Sequence, residues 1–478
     1  MKKEPLKLYN TESREKEEIT PLDGKTIRMY TCGPTVYNFA HIGNFRTYVF
    51  EDLLRRTLQF FGFPVSQAMN LTDIDDKTIK GAIEKKVPLL EFTRPFKEAF
   101  FEDLKTLNIE KVEYYPEATD YISEMVEIIQ KLLKSGEAYR SHDGSIYFSI
   151  VKFPSYGRLS HLRLNELQVG ASERIIHDEY EKENASDFVL WKAYDPERDG
   201  EIFWESSLGK GRPGWHIECS AMAMKLLGAT IDIHVGGIDN LFPHHENEIA
   251  QSESYSCCRF VKHWLHAEHL LVDHKKMSKS LGNFYTLRDL LNKGYSGPQV
   301  RYMLLQTHYR TQLNFTFAGL AASAATLERF SDFIRRLQIL ASQGTKHTGL
   351  ISPVLEKAME QFSSHLADDL NISAALAALF DMMREVNTLC DQEKVGASDA
   401  KEALDFLTKV DQVLGVLPLN QAEEKAPPEL EEALQEREKA RLEKNWKRAD
   451  ECRDLIHAKG YFIEDTPQGA RLKKRLHE

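Results

Sequence analysis

The chain has 478 residues, 42% of them hydrophobic, and a formal net charge of −11. That length suits about two to four domains, and no apolar run approaches the ~20 residues that a membrane helix needs. The acidic balance excludes a protein that coats nucleic acid nonspecifically. It leaves room for a local basic surface, because phosphate attraction acts through patches within about a Debye length. The residues from Arg437 onward, with 12 Lys/Arg against 8 Asp/Glu, are the place for one.

The charged lead, Met1-Lys-Lys-Glu-Pro-Leu-Lys7, lacks the apolar core of a secretory signal, so a cytoplasmic address is expected. A first α/β unit is predicted over 25–61. A strand-like run at 26–30 enters Thr31-Cys32-Gly33-Pro34, and Val49, Leu53, Leu54, Leu58 and Phe61 then recur at helical spacing. Strand, small-residue loop and helix in that order offer free backbone N–H groups to a phosphate. His41 and Asn44, three apart, leave one face of the first helical turn. Gly43 between them lets a flat ring or a phosphate approach the backbone. A second strand at 65–69 runs into Asn70-Leu-Thr-Asp-Ile-Asp-Asp-Lys77. Polar residues past a strand's C-terminal end are ligand candidates in open sheets, and are equally helix caps. Helices are predicted at 93–107 and 118–135.

From 141 to 204 the pattern turns to short strands and polar loops, an insertion between two halves of a nucleotide-binding fold. Trp215-His-Ile-Glu-Cys219 leads into a helix at 221–227, and a buried-type strand covers 231–239 with Gly236-Gly237 near its end. His244 opens another helix. The segment 270–283, with Lys276-Met-Ser-Lys-Ser280, reads as strand followed by loop. From 316 to 417 nearly every stretch is helical (321–340, 353–366, 372–389 and 399–414), a bundle. A linker at 421–428, a last helix at 430–459 and a small strand-turn unit at 460–469 complete the chain.

Six cysteines, at 32, 219, 257, 258, 390 and 452, have no disulfide-scaffold spacing and are expected reduced, buried or metal-bound. His244 and Glu248 stand at i, i+4, which stacks two side chains on one helical face and suits shared coordination of one Zn²⁺. His245 points about 100° away. Cys32 and Cys219, at junctions of the same predicted sheet, complete a Cys₂-His-Glu set drawn from three segments. The Cys257-Cys258 pair competes as a cysteine source but has no histidine at ligand spacing.

His41-Ile-Gly-Asn44 and Lys276-Met-Ser-Lys-Ser280 resemble the HIGH and KMSKS signatures of class I aminoacyl-tRNA synthetases. The first departs at its last position, where Asn44 can donate a neutral hydrogen bond but carries no charge. Thr31-Cys-Gly-Pro-Thr-Val-Tyr37, Thr72-Asp-Ile-Asp-Asp-Lys77, Trp215-His-Ile-Glu-Cys219, Gly236-Gly-Ile-Asp239 and His244-His-Glu-Asn-Glu248 resemble the cysteinyl-tRNA synthetase family. So do Arg448-Ala-Asp-Glu451 and Ile463-Glu-Asp-Thr-Pro467, so the likeness runs over essentially the whole chain.

The resemblance implies an α/β fold. A Rossmann-type catalytic domain (1–140 and 205–260) carries a connective insertion (141–204). A KMSKS-loop region (261–315), a helical anticodon-binding bundle (316–420) and a small C-terminal α+β anticodon-reading module (429–478) follow. It implies ATP-dependent ligation of L-cysteine to tRNA(Cys) through cysteinyl-adenylate, with Mg²⁺ accompanying ATP. One Zn²⁺ per chain, on Cys32, Cys219, His244 and Glu248, would take the substrate thiolate. His41, Gly43, Asn44, Lys276 and Lys279 would serve ATP, with Lys279 the first choice. Asp239 would meet the amino group or the ribose, and Thr72 and Trp215 would line the substrate pocket. Trp446, Tyr461 and Phe462 suit base stacking or the core of their own module. Coordinating the distinguishing thiol can reject analogues by roughly 10⁴–10⁵, so no editing domain is expected. A monomer is also expected. The rivals are a cysteine ligase acting on an amino sugar, a noncatalytic zinc-dependent RNA binder, and a synthetase for another amino acid such as methionine.

Overall fold

The computed structural model describes residues 4–162, 187–278, 281–344, 346–419, 427–466 and 469–474. It divides into two compact units, Met1–Leu287 with Gly297–Leu417 and Arg288–Ser296 with Pro418–Glu478. No helix among the described residues is long and apolar enough to cross a membrane.

The larger unit opens with an antiparallel hairpin, β1 (Lys7–Asn10) and β2 (Glu15–Glu18). The nucleotide-type core then begins with β3 (Ile27–Thr31), α1 (Ile42–Phe60) and β4 (Val65–Met69). After α2 (Asp76–Lys85), α3 (Leu89–Thr106) and α4 (Ile122–Ser135) comes the insertion. Its strands β5 (Ala138–Arg140), β6 (Ile146–Phe148), β7 (Phe188–Ala193) and β8 (Gly211–Pro213) form an antiparallel sheet in that order. The core resumes with α5 (Trp215–Leu227), β9 (Ile231–Gly237), α6 (Glu246–Ser256) and β10 (Val261–Ala267). β10, β9, β3 and β4 pair in that order, all parallel.

Why a parallel sheet forms here is visible in its strands. Most residues of β3, β9 and β10 are buried, so both sheet faces are covered and the strands read as continuous runs rather than alternations. Because all four run the same way, their C-terminal ends share one edge. Cys32, Asn70, Ile238 and Glu268, which follow those ends, are thereby gathered at one mouth.

The insertion is fastened to the core by charge. Lys192 Nζ on β7 lies 2.8 Å from Asp76 Oδ2, and Arg212 on β8 meets Asp76 Oδ1. Burial alone would raise the Asp76 pKa, but Arg212 and Lys192 override it and hold the carboxyl at about 2. A carboxyl depressed below its unfolded value stabilises the fold at pH values above that unfolded value, and the contribution is lost as pH falls through the folded one. Asp76→Asn is therefore expected to lower Tm at pH 7 and to flatten the decline of stability between about pH 4 and pH 2. Thermal melts across that range check it. The Asp76 side chain is 44% exposed, so solvent screening keeps the effect modest.

Beyond β10, strands β11 (Leu270–Val272) and β12 (Lys275–Lys276) form a hairpin turned by Asp273 and His274, both at positive φ. After α7 (Gly297–Leu305), β13 (Leu313–Phe315) pairs parallel to β11. The bundle follows as α8 (Phe317–Ala341), α9 (Ser352–Ala367), α10 (Ile372–Asp391) and α11 (Ala397–Leu414). Buried rows such as Leu327, Phe330, Ile334 and Leu337 on α8 supply its core.

The smaller unit corrects one expectation. The single helix predicted over 430–459 is two, α12 (Pro428–Leu442) and α13 (Trp446–Ala458). Lys444 takes positive φ (57°), and the Asn445 side chain accepts from Arg448 N, restarting the helix. Unbroken charge across this stretch hid the turn. Leu430, Leu434 and Ile456 form a core joined by Tyr461 and Ile463 of β14 (Tyr461–Thr466) and Leu472 of β15 (Gly469–Lys474). Tyr461 therefore packs inward, while Trp446 is 61% exposed.

Candidate active site and metal centre

α1 begins earlier than its apolar period suggests, because its start is built from polar groups. His41 is the N-cap: Nδ1 accepts from Asn44 N (3.1 Å), and Asn44 Oδ1 accepts from His41 N (3.1 Å). This reciprocal capping box satisfies two otherwise orphaned donors. Asn44, the departure from the usual signature, thus orients the imidazole through the backbone. The cap is braced from the chain that follows the second signature: Ile42 N donates to Tyr285 O, and Phe284 stands edge-on to the His41 ring at 5.2 Å.

Gly43 is required here for space. A Cβ on it would lie 2.9 Å from His41 Nδ1 and 3.1 Å from Met277 Cε. Gly43→Ala is expected to displace the imidazole and slow ATP-dependent turnover by more than ~10-fold, since small misplacements of reacting groups are costly. Tm should hold nearly constant; steady-state kinetics with melting curves check both.

His41, Gly43 and Asn44 line an open cavity of ≈ 290 Å³ with Cys32, Asp239 and Lys276. Lys276 is exposed on β12, and its carbonyl accepts from Asn283 Nδ2 (3.2 Å) while Asn283 Oδ1 accepts from Ser278 N (2.9 Å). Asn283 therefore holds the base of the lysine loop. Lys279 lies outside the described residues. Asp239 follows β9 and faces outward, with His269 Nε2 3.5 Å from Oδ1.

Behind Cys32, the member of the set that lines this cavity, the donor atoms of Cys32, Cys219, His244 and Glu248 all lie within 4.8 Å of one another, and all four residues are buried. They come from the end of β3, from α5, and from the turn that opens α6. That turn departs from the uniform helix predicted around 243–249: Phe242 is extended, and regular helix starts at Glu246. The His244–Glu248 stacking survives, because helical geometry holds from His245 onward.

His244 Nε2 and Glu248 Oε1 are 3.1 Å apart, yet neither has a hydrogen-bond partner among the described residues. Ligands at 2.0–2.3 Å from a tetrahedral ion sit roughly 3.3–3.8 Å from each other, so this buried pair would spread by only a few tenths of an ångström to share a cation. Two thiols with one imidazole and one carboxylate suit zinc. Cys32, His234, His245 and Glu248 form a second, overlapping group. There, however, both His245 nitrogens are engaged, Nε2 with Cys32 Sγ (3.3 Å) and Nδ1 with His266 Nε2 (2.8 Å). The first set fits the ion better.

A second ring of contacts aims these donors. His216 Nδ1 meets His244 Nδ1 at 2.9 Å, and His234 Nε2 meets Glu248 Oε2 at 3.0 Å. The Trp215 indole stacks on His244 at 4.2 Å. Burial opposes charge on Glu248, but His234 and His244 hold its carboxyl at about 2. Burial likewise opposes the His244 cation, yet Cys219 and Glu248 lift it to about 10. The hydrogen bond with Cys32, burial and Glu248 push the Cys219 thiol well above its usual range. A cation must therefore displace protons as it binds.

A family model described as the class I (C) tRNA synthetase catalytic domain matches residues 18–325, and a DALR domain model matches 361–418. The cysteine–tRNA ligase of Protochlamydia amoebophila (strain UWE25) is 62% identical over 99% of both chains. That of Chlamydia pneumoniae is 56% identical over 98% of both. The chain belongs to the cysteine–tRNA ligase family. Its fold also matches a solved Mycobacterium tuberculosis methionyl-tRNA synthetase in complex with methionyl-adenylate, with a TM-score of 0.64 and 14% identity, over 82% of this chain and 92% of that one.

Within this cysteine–tRNA ligase family member the predicted residues fall into two places. His41, Gly43, Asn44, Asp239, Lys276 and Cys32 share the cavity; Cys219, His244 and Glu248 lie behind it with Trp215 stacked against them. Thr72 is buried and accepts from Asn70 Nδ2 (3.1 Å), and its backbone is bound to Pro34 and Val36. These bonds brace the loop that carries Cys32. His216, His234 and His266 stand out by no spacing in the sequence, and His245 is set aside there by its direction on the helix. Four histidines among 17 in the chain, clustered on α5, β9, the α6 turn and β10, were the available signal.

Proposed function

We propose that the protein activates L-cysteine with ATP and transfers it to tRNA(Cys), with zinc selecting the thiol. The observation that carries this reading is the buried Cys32, Cys219, His244 and Glu248 cluster, which reaches through Cys32 a cavity rimmed by both signature elements. A cysteine carboxylate oxygen attacks the α-phosphorus of ATP, the α–β phosphoanhydride bond breaks, and pyrophosphate leaves with Mg²⁺. The terminal ribose hydroxyl of tRNA then attacks the carbonyl, releasing AMP. Alignment and charge neutralisation supply most of the catalysis in the first step.

His41, held by Asn44 at the N-terminus of α1, offers its imidazole to phosphate oxygens, aided by the positive end of the helix. Lys276, with Lys279 beside it in sequence, neutralises the leaving pyrophosphate as a flexible point charge. Asp239 takes the amino group or the ribose, and Trp215 walls the pocket beside His244. Bound zinc supplies a Lewis acid that prefers sulfur, favouring the thiolate over a serine hydroxyl. The bundle and the C-terminal module hold the tRNA, Trp446 standing outward among Lys444, Lys447 and Arg448.

The test is cysteine-dependent ATP–pyrophosphate exchange and aminoacylation of tRNA(Cys), with metal content measured on the same preparation. Exchange with cysteine, charging of tRNA(Cys) and about one zinc per chain are expected. Exchange without any transfer to tRNA would redirect the reading to a cysteine ligase with another acceptor, such as an amino sugar.

A further inference from the structure

Buried guanidinium groups join α1 to the ends of two other helices. Arg46, 2% exposed, donates through Nη2 to the carbonyls of Thr307 (3.0 Å) and His308 (2.8 Å), and through Nη1 to Leu304 near the end of α7. Farther along α1, Arg56 donates to Gln412 O (3.1 Å) in the last turn of α11, to Asn108 O (2.7 Å), and through Nε to Asp52 Oδ2 (2.7 Å). Arg301 of α7 donates to Leu414 O (2.8 Å), the final residue of α11, and to the same Asp52 oxygen. Asn108 Nδ2 reaches Gly415 O (2.9 Å), and Asp52 Oδ1 accepts from Glu110 N (2.8 Å).

The last carbonyls of α11 lack intrahelical partners and carry the negative end of the helix dipole. Here Arg56 and Arg301 satisfy them, and one carboxylate, 3% exposed, binds the two arginines together. Each planar fork serves two directions at once, a geometry that lysine does not reproduce. The opposite end of α1 is the His41–Asn44 cap. One 19-residue helix thus carries the nucleotide signature at its start and the bundle's last helix end near its finish.

We propose that Asp52, Arg56 and Arg301 are positioning residues for aminoacyl transfer: they clasp α11 to α1, so that tRNA held by the bundle is registered against the cavity at the start of α1. This rests on the reading of the chain as a cysteine–tRNA ligase whose bundle holds tRNA. Adenylate formation needs the cavity alone. Transfer needs RNA and cavity to share one rigid frame, so weakening the clasp separates the two steps.

The test uses the full chain carrying Arg56→Lys, Arg301→Lys or both. These variants keep the charge that balances buried Asp52, since leaving that carboxylate unpaired would endanger folding. Cysteine-dependent ATP–pyrophosphate exchange without tRNA, aminoacylation at limiting tRNA(Cys), and Tm are measured together. Exchange within about two-fold of wild type, kcat/KM for tRNA lowered by about ten-fold or more, and a double variant no worse than the weaker single support the clasp, because residues of one joint are non-additive. Parallel losses in exchange and aminoacylation, or aminoacylation at wild-type level in both single variants, overturn it. A wild-type chain without cysteine-dependent exchange would instead overturn the ligase reading beneath it.

Discussion

Replacing Cys219 by serine is expected to remove zinc from the purified protein and to lower cysteine-dependent ATP–pyrophosphate exchange by well over ~100-fold, since even changes around a metal's ligands cost about 10–100-fold. Cys219 is 1% exposed, and serine is close to it in size, so the packing of α5 is kept while a preferred sulfur donor is replaced by a poor one. Selectivity should fall with the metal. The wild-type chain is expected to favour cysteine over serine by roughly 10⁴–10⁵, and residual activity in Cys219→Ser should lose most of that ratio. Metal analysis, exchange with each amino acid, and Tm settle the matter together. A zinc-free variant with wild-type cysteine activity would show that some other group reads the thiol. A variant that loses the metal and some Tm but keeps its preference for cysteine over serine would show a structural ion instead.

His41→Ala is expected to slow exchange by ~10²–10³-fold, the cost of removing one preorganised donor from a site of developing charge. The same substitution deletes the cap of α1, which costs about 1 kcal/mol of stability, so a loss of activity alone would be ambiguous. His41→Asn separates the two roles. Asparagine caps helices well, and its side chain can accept from Asn44 N as His41 Nδ1 does at 3.1 Å. Tm should therefore return toward wild type while the exchange rate stays low. If His41→Asn restored the rate as well, the imidazole would be only a cap.

Much of this architecture was legible before any coordinates. The strand at 65–69 coincides with β4, and the four bundle helices lie within a few residues of their predicted bounds, because long amphipathic periods and short buried runs carry their own signal. The first turn of α1 was legible from the His41–Asn44 spacing, although its cap is a histidine, outside the Ser/Thr/Asp/Asn set that marks helix starts, and its apolar period begins only at Val49. The break between α12 and α13 was missed for lack of an apolar period to interrupt. At the metal cluster, the i, i+4 spacing selected His244 and Glu248, and Cys32 and Cys219 joined them by their place at junctions of the predicted sheet, with the family resemblance adding to that reading. Nothing local points to His216, His234 or His266, since each owes its place to contacts between separate elements. Thr72 was legible as polar and past a strand end; its bonds to Asn70, Pro34 and Val36 needed the folded chain.

The cluster behind the cavity also constrains how the molecule matures. Cys32 precedes the insertion, and Cys219, His244 and Glu248 all follow it, so no short segment of the nascent chain holds a usable set of donors. The donors converge only after β9 has paired with β3, a non-local step that pays its loop-closure entropy before any contact rewards it. A cation held there cannot nucleate folding in the way that local ligand pairs organise small zinc domains. It would arrive after the sheet is assembled and shift the equilibrium by mass action on the finished state. An ion bound there would act as a late lock on the two halves of the catalytic fold, and a chain starved of metal would still collapse and build its sheet.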